Sequence, residues 1–342
     1  MVDGLYLRRS HERTARIEAW SRRVGDTVGL AGVLDGLNRT ARRTDVPASA
    51  PVWGLSWNDQ DSNSVRWWPQ GISTTADASH TGEVQGHRLL VTSWYCKDTG
   101  RGRQGSRLTF LDLETLRYRH VLVVQASFTM WGRMRLKPLP IHAGGVVWAG
   151  DYLHLAATRR GVFSCLVDDI LRLKPSPNSF DHRYVLPVRF AYRACTSRRA
   201  EPLRYSFLSL NRSSSPPELV AGEYGRGDMS TRIVRYALDE ETLLPQAGED
   251  GRSSPVLLDA RGVGHMQGVT VVGERYYVTS SRGEHRRGTV YVGRPGSLRP
   301  HHETLPPGPE DITYWPSTDQ LWSLSEYPGR RFVFAMDRAR FD

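Results

Sequence analysis

Five polar residues recur at matching places in this 342-residue chain: Gln70, His142, Tyr205 with its neighbour Ser206, Gln267 and Glu310. Each stands at the start of a short apolar run that is followed by two further runs, so one repeated architecture would bring all five to a common place. His142 is the member whose imidazole titrates near neutrality, which suits a general acid or base. Glu310 is its expected partner, and these two are the catalytic candidates. The carboxamides Gln70 and Gln267 donate and accept hydrogen bonds, and with Tyr205 they can orient a polyhydroxylated or carbonyl-bearing ligand. The same His142, Glu310, Gln70 and Gln267 are also the candidates for holding a divalent metal: Glu and Gln oxygens suit Ca²⁺, and His142 favours Zn²⁺ or a transition metal. Trp67 and Trp68 beside Gln70 offer aromatic platforms for a sugar ring, against the commoner use of such side chains in packing.

The elements that must position these residues form an all-β pattern. From residue 49 onward, apolar runs of four to seven residues alternate with Gly, Pro, Asp and Ser clusters. Units of three or four such runs begin near residues 66, 138, 203, 263 and 308. In the second, Ile141-His142-Ala143-Gly144-Gly145-Val146-Val147 is followed by Tyr152–Ala157 and Gly161–Leu166. The spacing predicts a five-bladed β-propeller over residues 49–342, whose last blade runs out of chain and is completed by residues 52–57, closing the ring without a free sheet edge. Residues 1–48 are expected to be a helical N-terminal extension, because Leu5, Ile17, Trp20, Val24, Leu30, Val33 and Leu37 are spaced like amphipathic faces over residues 5–43. Asp45-Val46-Pro47 and Pro51 end that stretch.

Two matching tetrads, Gly222-Glu223-Tyr224-Gly225 and Ser325-Glu326-Tyr327-Pro328, carry a second possible acid/base pair; the plainer reading is strand-end carboxylates paired to arginines. Asp59, Asp61 and Asp77 lie in polar segments near the first unit, and the Asn58–Ser64 loop lacks the Gly and the terminal Glu of a calcium loop. No Gly-x-Ser-x-Gly elbow, P-loop or dinucleotide fingerprint occurs, so no nucleotide cofactor is expected.

The net charge is +10, but all but three of the 46 basic residues are arginines, dispersed among acids through every segment. That distribution argues against nucleic-acid binding. No apolar run approaches a bilayer span and no signal peptide is visible, so the expected setting is cytoplasmic, with secretion as the alternative, and the expected partner is a small polar molecule rather than nucleic acid or membrane. The three cysteines, Cys96, Cys165 and Cys195, lack zinc spacing, and an odd count is a poor disulfide framework; a Cys165–Cys195 bridge stays open for an exported chain.

Trp67-Trp68-Pro69-Gln70-Gly71-Ile72, Ile141-His142-Ala143-Gly144-Gly145 and Pro309-Glu310-Asp311-Ile312-Thr313-Tyr314-Trp315-Pro316-Ser317, with the arginine bias, resemble a group of uncharacterised actinobacterial five-bladed propeller proteins, many with export signals. The resemblance spans residues 50–342 and implies the fold without an activity. More distantly, polar residues at blade starts are similar to those of gluconolactonase and strictosidine-synthase-like propellers and of five-bladed glycosidases. Gln70 and Gln267 stand where those families place a carboxylate or a metal ligand, so neither activity carries over. The expectation is a small-molecule enzyme of lyase, hydrolase or cyclase type, in secondary or cell-wall metabolism, acting at the central channel. The alternatives are a non-catalytic saccharide-binding propeller or a protein-interaction scaffold.

Overall fold

The computed structural model describes residues 4–98, 104–128, 130, 134–174, 181–197 and 200–342. Its strands form five sheets. Each begins with an inner strand: Trp67–Thr74, Val146–Ala149, Phe207–Asn211, Met266–Val272 and Pro309–Trp315. The next two strands of each sheet follow outward antiparallel in chain order, and in the fourth sheet Met266–Val272, Arg275–Ser280 and Arg287–Gly293 are followed by Arg299–Pro307. Every inner strand packs against the next, and that of the fifth sheet returns to that of the first. This radial closure is a β-propeller arrangement, in which sheet faces stack and few edges remain open.

Close approach of the inner strands demands glycine at two points. A Cβ on Gly145 would stand 2.1 Å from the backbone nitrogen of Leu208, and one on Gly268 would stand 2.6 Å from Asp311 Cα. Between sheets the gaps fill with apolar side chains. Phe207, Val220 and Ile233 of the third sheet meet Val269, Val271 and Val278 of the fourth, removing apolar surface from water at roughly 25 cal/mol per Å². Trp57 stands edge-on to Trp94 at 5.2 Å and to Tyr118 at 5.0 Å, so these tryptophans are packing elements.

Strand Pro51–Ser56 pairs antiparallel with Phe332–Asp337 in the fifth sheet and carries Arg42–Arg43 on its other edge. The segment before it departs from the helical expectation. Leu5–Arg9 is a strand, with Leu5 and Leu7 buried at period two, inserted between Phe190–Thr196 and Arg252–Ser253 of the second sheet. Helices span Thr14–Val24, burying Ile17 and Trp20, and Gly29–Leu34, burying Leu30 and Val33. Gly25–Thr27 and Arg39–Thr40 join the first sheet. Isolated apolar residues at mixed spacings fit both periods, and partner strands far away in sequence decided between them. Two strands adjacent in sequence part company: Tyr184–Pro187 pairs parallel with Arg117–Phe128 of the first sheet, whereas Phe190–Thr196 joins the second.

All three cysteines are free thiols, Cys96 and Cys165 buried and Cys195 half-buried, so the Cys165–Cys195 bridge does not form. Among the described residues no helix is long and apolar enough to cross a membrane.

Candidate functional site

Three of the inner strands begin with a break in register. The ladder of Trp67–Thr74 with its neighbour shifts between Pro69 and Ile72, that of Met266–Val272 between Met266 and Gly268, and that of Pro309–Trp315 between Pro309 and Ile312. Inside these breaks lie Gln70 with Gly71, Gln267, and Glu310 with Asp311. Bulges re-aim side chains that a regular strand would send to a sheet face, and Pro69 and Pro309, lacking an N–H, help to open the ladder.

Glu310 is buried, and Gln267 Nε2 donates to its Oε1 at 3.0 Å. Its other neighbour is a residue the sequence had set aside, Glu326, with which it shares a carboxyl–carboxyl hydrogen bond. Gln70 is buried as well, and its Nε2 donates to Glu326 Oε2 at 3.0 Å and to Pro69 O at 2.7 Å. Burial, and then the neighbouring carboxylate of Glu326, hold Glu310 well above the ordinary carboxylate range. Glu326 is raised by burial but relieved by donors from Gln70 and Tyr327 and by the positive charge of Arg331. Both carboxyls are thus raised and titrate as a coupled pair, as two adjacent carboxylates cannot both ionise in a poorly solvated place. Tyr224 and Tyr327 flank it, their hydroxyls pushed upward by burial and then by the two glutamates.

The second matching tetrad serves another end. Glu223 is fully buried and gripped by Arg232, whose Nε and Nη2 each donate at 2.8 Å, so it is a structural ion pair. The Glu-Tyr repeat was thus the visible signal for Glu326. What the sequence could not show was which of the two copies lacked an arginine fork.

Asp311, next to Glu310, is wholly buried and reaches across to the first and second sheets. Its Oδ2 accepts from the Ile72 N–H at 3.3 Å, its Oδ1 from its own Ile312 N–H at 3.0 Å, and it is bonded by the Val146 N–H too. Burial raises it well above the usual range despite these donors. Asp77 does similar work, accepting from Ser73 Oγ at 2.6 Å and from Thr313 Oγ1 of the fifth sheet at 2.8 Å.

The other expected site residues are placed differently. His142 is exposed at the end of the second unit's lead-in, with its ring centroid 4.5 Å from that of Tyr95. Among the described residues no hydrogen bond or ion pair joins it to Glu310, its expected partner. The surrounding protein lowers its pKa, keeping it neutral at physiological pH, although water on the open side tempers that effect. Tyr205 is buried among Leu203, Leu208 and Tyr236, and its hydroxyl is spent on Tyr236 Oη at 2.7 Å, so it is a core residue. Trp67 is buried under the guanidinium of Arg107, 4.5 Å from the ring centre, which removes it as a sugar platform. Trp68 is half-buried, capped by Lys97 at 4.5 Å and edge-on to Tyr327 at 5.9 Å, and it alone of the two adjoins the carboxyl pair.

Among the described residues no three His, Cys, Asp or Glu side chains gather in a way that could hold a metal ion. The expected ligand set does not assemble either: both glutamines turn an N–H, not an oxygen, toward the carboxyls.

No protein-family model matches the chain, and neither does any curated protein. Among solved structures it is similar to a gluconolactonase from Xanthomonas campestris, at 16% identity over 92% of this chain and 88% of that one, with a TM-score of 0.40. A GH43_1 enzyme from Xanthomonas citri is similar at 13% identity over 90% and 92%, with a TM-score of 0.42. The β-propeller domain of Cps50 (Swd1) from Myceliophteria thermophila is similar at 11% identity over 86% and 99%, with a TM-score of 0.37.

Proposed function

We propose that the chain is a five-bladed propeller, one blade per sheet, and a small-molecule enzyme of hydrolase or lyase type whose reacting groups are Glu310 and Glu326. The observation that carries this reading is the carboxyl pair itself: two glutamates in hydrogen-bond contact, each also held by a glutamine, neither paired to an arginine fork. Glu223, the matching residue of the other tetrad, is by contrast neutralised by arginine at bonding distance. A pair left protonated once is poised to give a proton from Glu310 and to accept one at Glu326. Gln70 and Gln267 hold the two groups in register, and Tyr224, Tyr327 and half-buried Trp68 supply the hydroxyl and ring surface that a polar, sugar-like ligand uses. His142, neutral at the rim, is a further acceptor for such a ligand.

The test is turnover of chromogenic esters, p-nitrophenyl glycosides and aldonolactones by the full chain, followed by Glu310→Gln and Glu326→Gln. The expected result is a bell-shaped pH profile in the native protein and a loss of at least about 100-fold in kcat for both variants. Binding of one of these compounds without turnover would leave a saccharide-binding propeller instead. Turnover that survives both substitutions would remove the carboxyl pair from the chemistry.

A further inference from the structure

The inner strands that carry Gln70, Gln267 and Glu310 at one end frame a second cavity, of about 420 Å³, at the other, lined by Arg212 and by Leu210, Val271, Val272, Trp315 and Pro316. From this arrangement we infer that the cavity is a binding site for a small monocarboxylate with an apolar or aromatic body, separate from the Glu310–Glu326 pair.

The two sites lie at opposite ends of the same strands. Gln267 and Val272, like Glu310 and Trp315, stand about 17 Å apart at a strand rise of roughly 3.3 Å per residue. Between them the axis is filled: Ser73, Asp311 and Thr313 are buried, and Asp77 Oδ2 accepts from the hydroxyls of Ser73 and Thr313. A ligand in the cavity therefore does not touch the carboxyl pair. The segments around the cavity, residues 76–82, 210–213, 271–272 and 314–317, all lie among the described residues.

Charge and shape together select the ligand. Arg212 is half-buried; its Nη2 donates to the Asp77 carbonyl, and its Nη1 lies 3.3 Å from Nδ1 and 3.5 Å from Nε2 of His80. Asp77, the carboxyl in the lining, forms no ion pair with it, because Asp77 Oδ2 is taken by Ser73, Thr313 and the Thr74 N–H at 3.2 Å. Burial lowers the pKa of Arg212, which Asp77 offsets in part, and burial raises that of Asp77. Each is thus charged at a cost the other only partly relieves. Two contacts hold the guanidinium in place and leave an N–H on each Nη, and a carboxylate meets such a planar fork with two parallel hydrogen bonds. Among the described residues the lining holds no other arginine or lysine, so it balances one negative charge, and a phosphate dianion would set a second beside Asp77. The rest of the wall is largely apolar. Tyr314 turns its hydroxyl to Asp319 at 2.8 Å and Trp315 Nε1 is spent on Ser317 Oγ at 3.0 Å, so beside Leu210 and Val271 these rings offer carbon atoms to the ligand. The volume admits a ring bearing a short acid arm.

The test is calorimetric titration of the full chain with phenylacetate, with its neutral isostere phenylacetamide and with phenyl phosphate, at constant ionic strength in chloride, beside Arg212→Gln and Ser317→Glu. Saturable binding of phenylacetate is expected, about tenfold tighter than that of the amide or the phosphate. It should weaken about tenfold in each variant, since the first removes the charged donor and the second adds a like charge to the wall. Melting temperatures taken without ligand show which variants fold, and the exposed Ser317 keeps the test decisive if Arg212→Gln does not. No saturable binding of phenylacetate by about 10 mM would overturn the inference. So would equal affinity for the amide, which would leave an apolar pocket, tighter binding of the phosphate, or undiminished binding in a folded variant, which would put the acid elsewhere.

Discussion

Gln70 donates from Nε2 to Glu326 Oε2 at 3.0 Å, joining residues 256 positions apart across the seam where the first sheet meets the fifth. The bond links ring closure to the carboxyl pair: the same amide that bridges two sheets holds one of its two carboxyls. Gln70→Ala is therefore expected to cost about 1–2 kcal/mol of stability, as for a buried hydrogen bond to a charged group, and to lower kcat more than it raises KM on any compound the protein turns over. Urea unfolding and steady-state kinetics measure the two effects. A change confined to stability would make Gln70 a seam residue only.

Glu310 gives a pH dependence with a defined sign. Its pKa is raised in the folded chain, so between the unfolded and folded values the native state binds more protons, and its contribution to stability falls as pH rises through that window. Glu310→Gln removes the titration while keeping an oxygen for Gln267. Its stability relative to the native protein should therefore increase as pH rises from 4.5 through the folded value. Melting curves of both proteins across that range decide it, and a constant difference would contradict the raised value.

His154 works in the opposite direction. It is 1% exposed, and burial lowers its pKa from 6.5 to about 4. Below pH 6.5 the unfolded chain takes up a proton that the native His154 refuses, so stability declines as pH falls toward 4, by on the order of 3 kcal/mol for this group. Its Nε2 is buried without a partner. His154→Phe, which keeps an aromatic ring but gives up the Nδ1 bond to Ser164 Oγ at 2.9 Å, should lower stability near neutral pH yet flatten the acid limb of a stability–pH curve. An unchanged limb would assign the acid sensitivity to other groups.

Asp311 fastens three inner-strand N–H groups at the axis. Asp311→Ala orphans them in a dry place and should cost at least about 3 kcal/mol, while Asp311→Asn, which retains one acceptor oxygen, should cost less. Chemical denaturation orders the two. Equal losses would mean that both carboxyl oxygens are needed, an amide of the same shape serving no better than a methyl group.

Thiol reactivity separates the cysteines. Burial pushes the Cys165 thiol far above its ordinary value, whereas Cys195 is half-buried. An aromatic disulfide reagent should label Cys195 in the native protein and reach Cys165 only on unfolding, as read by peptide mass. Native labelling of Cys165 would show that the second sheet opens.

Chain-local patterns determined much of this protein. The turn-bounded apolar runs after residue 49 specify strands, because Gly and Pro clusters and β-branched residues act within a few positions of themselves. The polar residue leading each inner strand was legible for the same reason: Gln70, Gln267 and Glu310 each follow a break that Pro or Met266 announces in the text. Tertiary structure alone decided what those residues meet. Glu326 and Glu223 occupy matching tetrads, yet one faces a second carboxyl and the other an arginine fork, a difference set by which sheet lies alongside. Tyr205 and Trp67 had the types of ligand-binding residues, but neighbouring sheets and Arg107 covered them. The Leu5–Arg9 strand and the setting of Arg212 each depend on partners more than a hundred residues away. Periodicity reports the environment of one element, whereas burial, charge balance and proton sharing are properties of surfaces brought together by the closed ring.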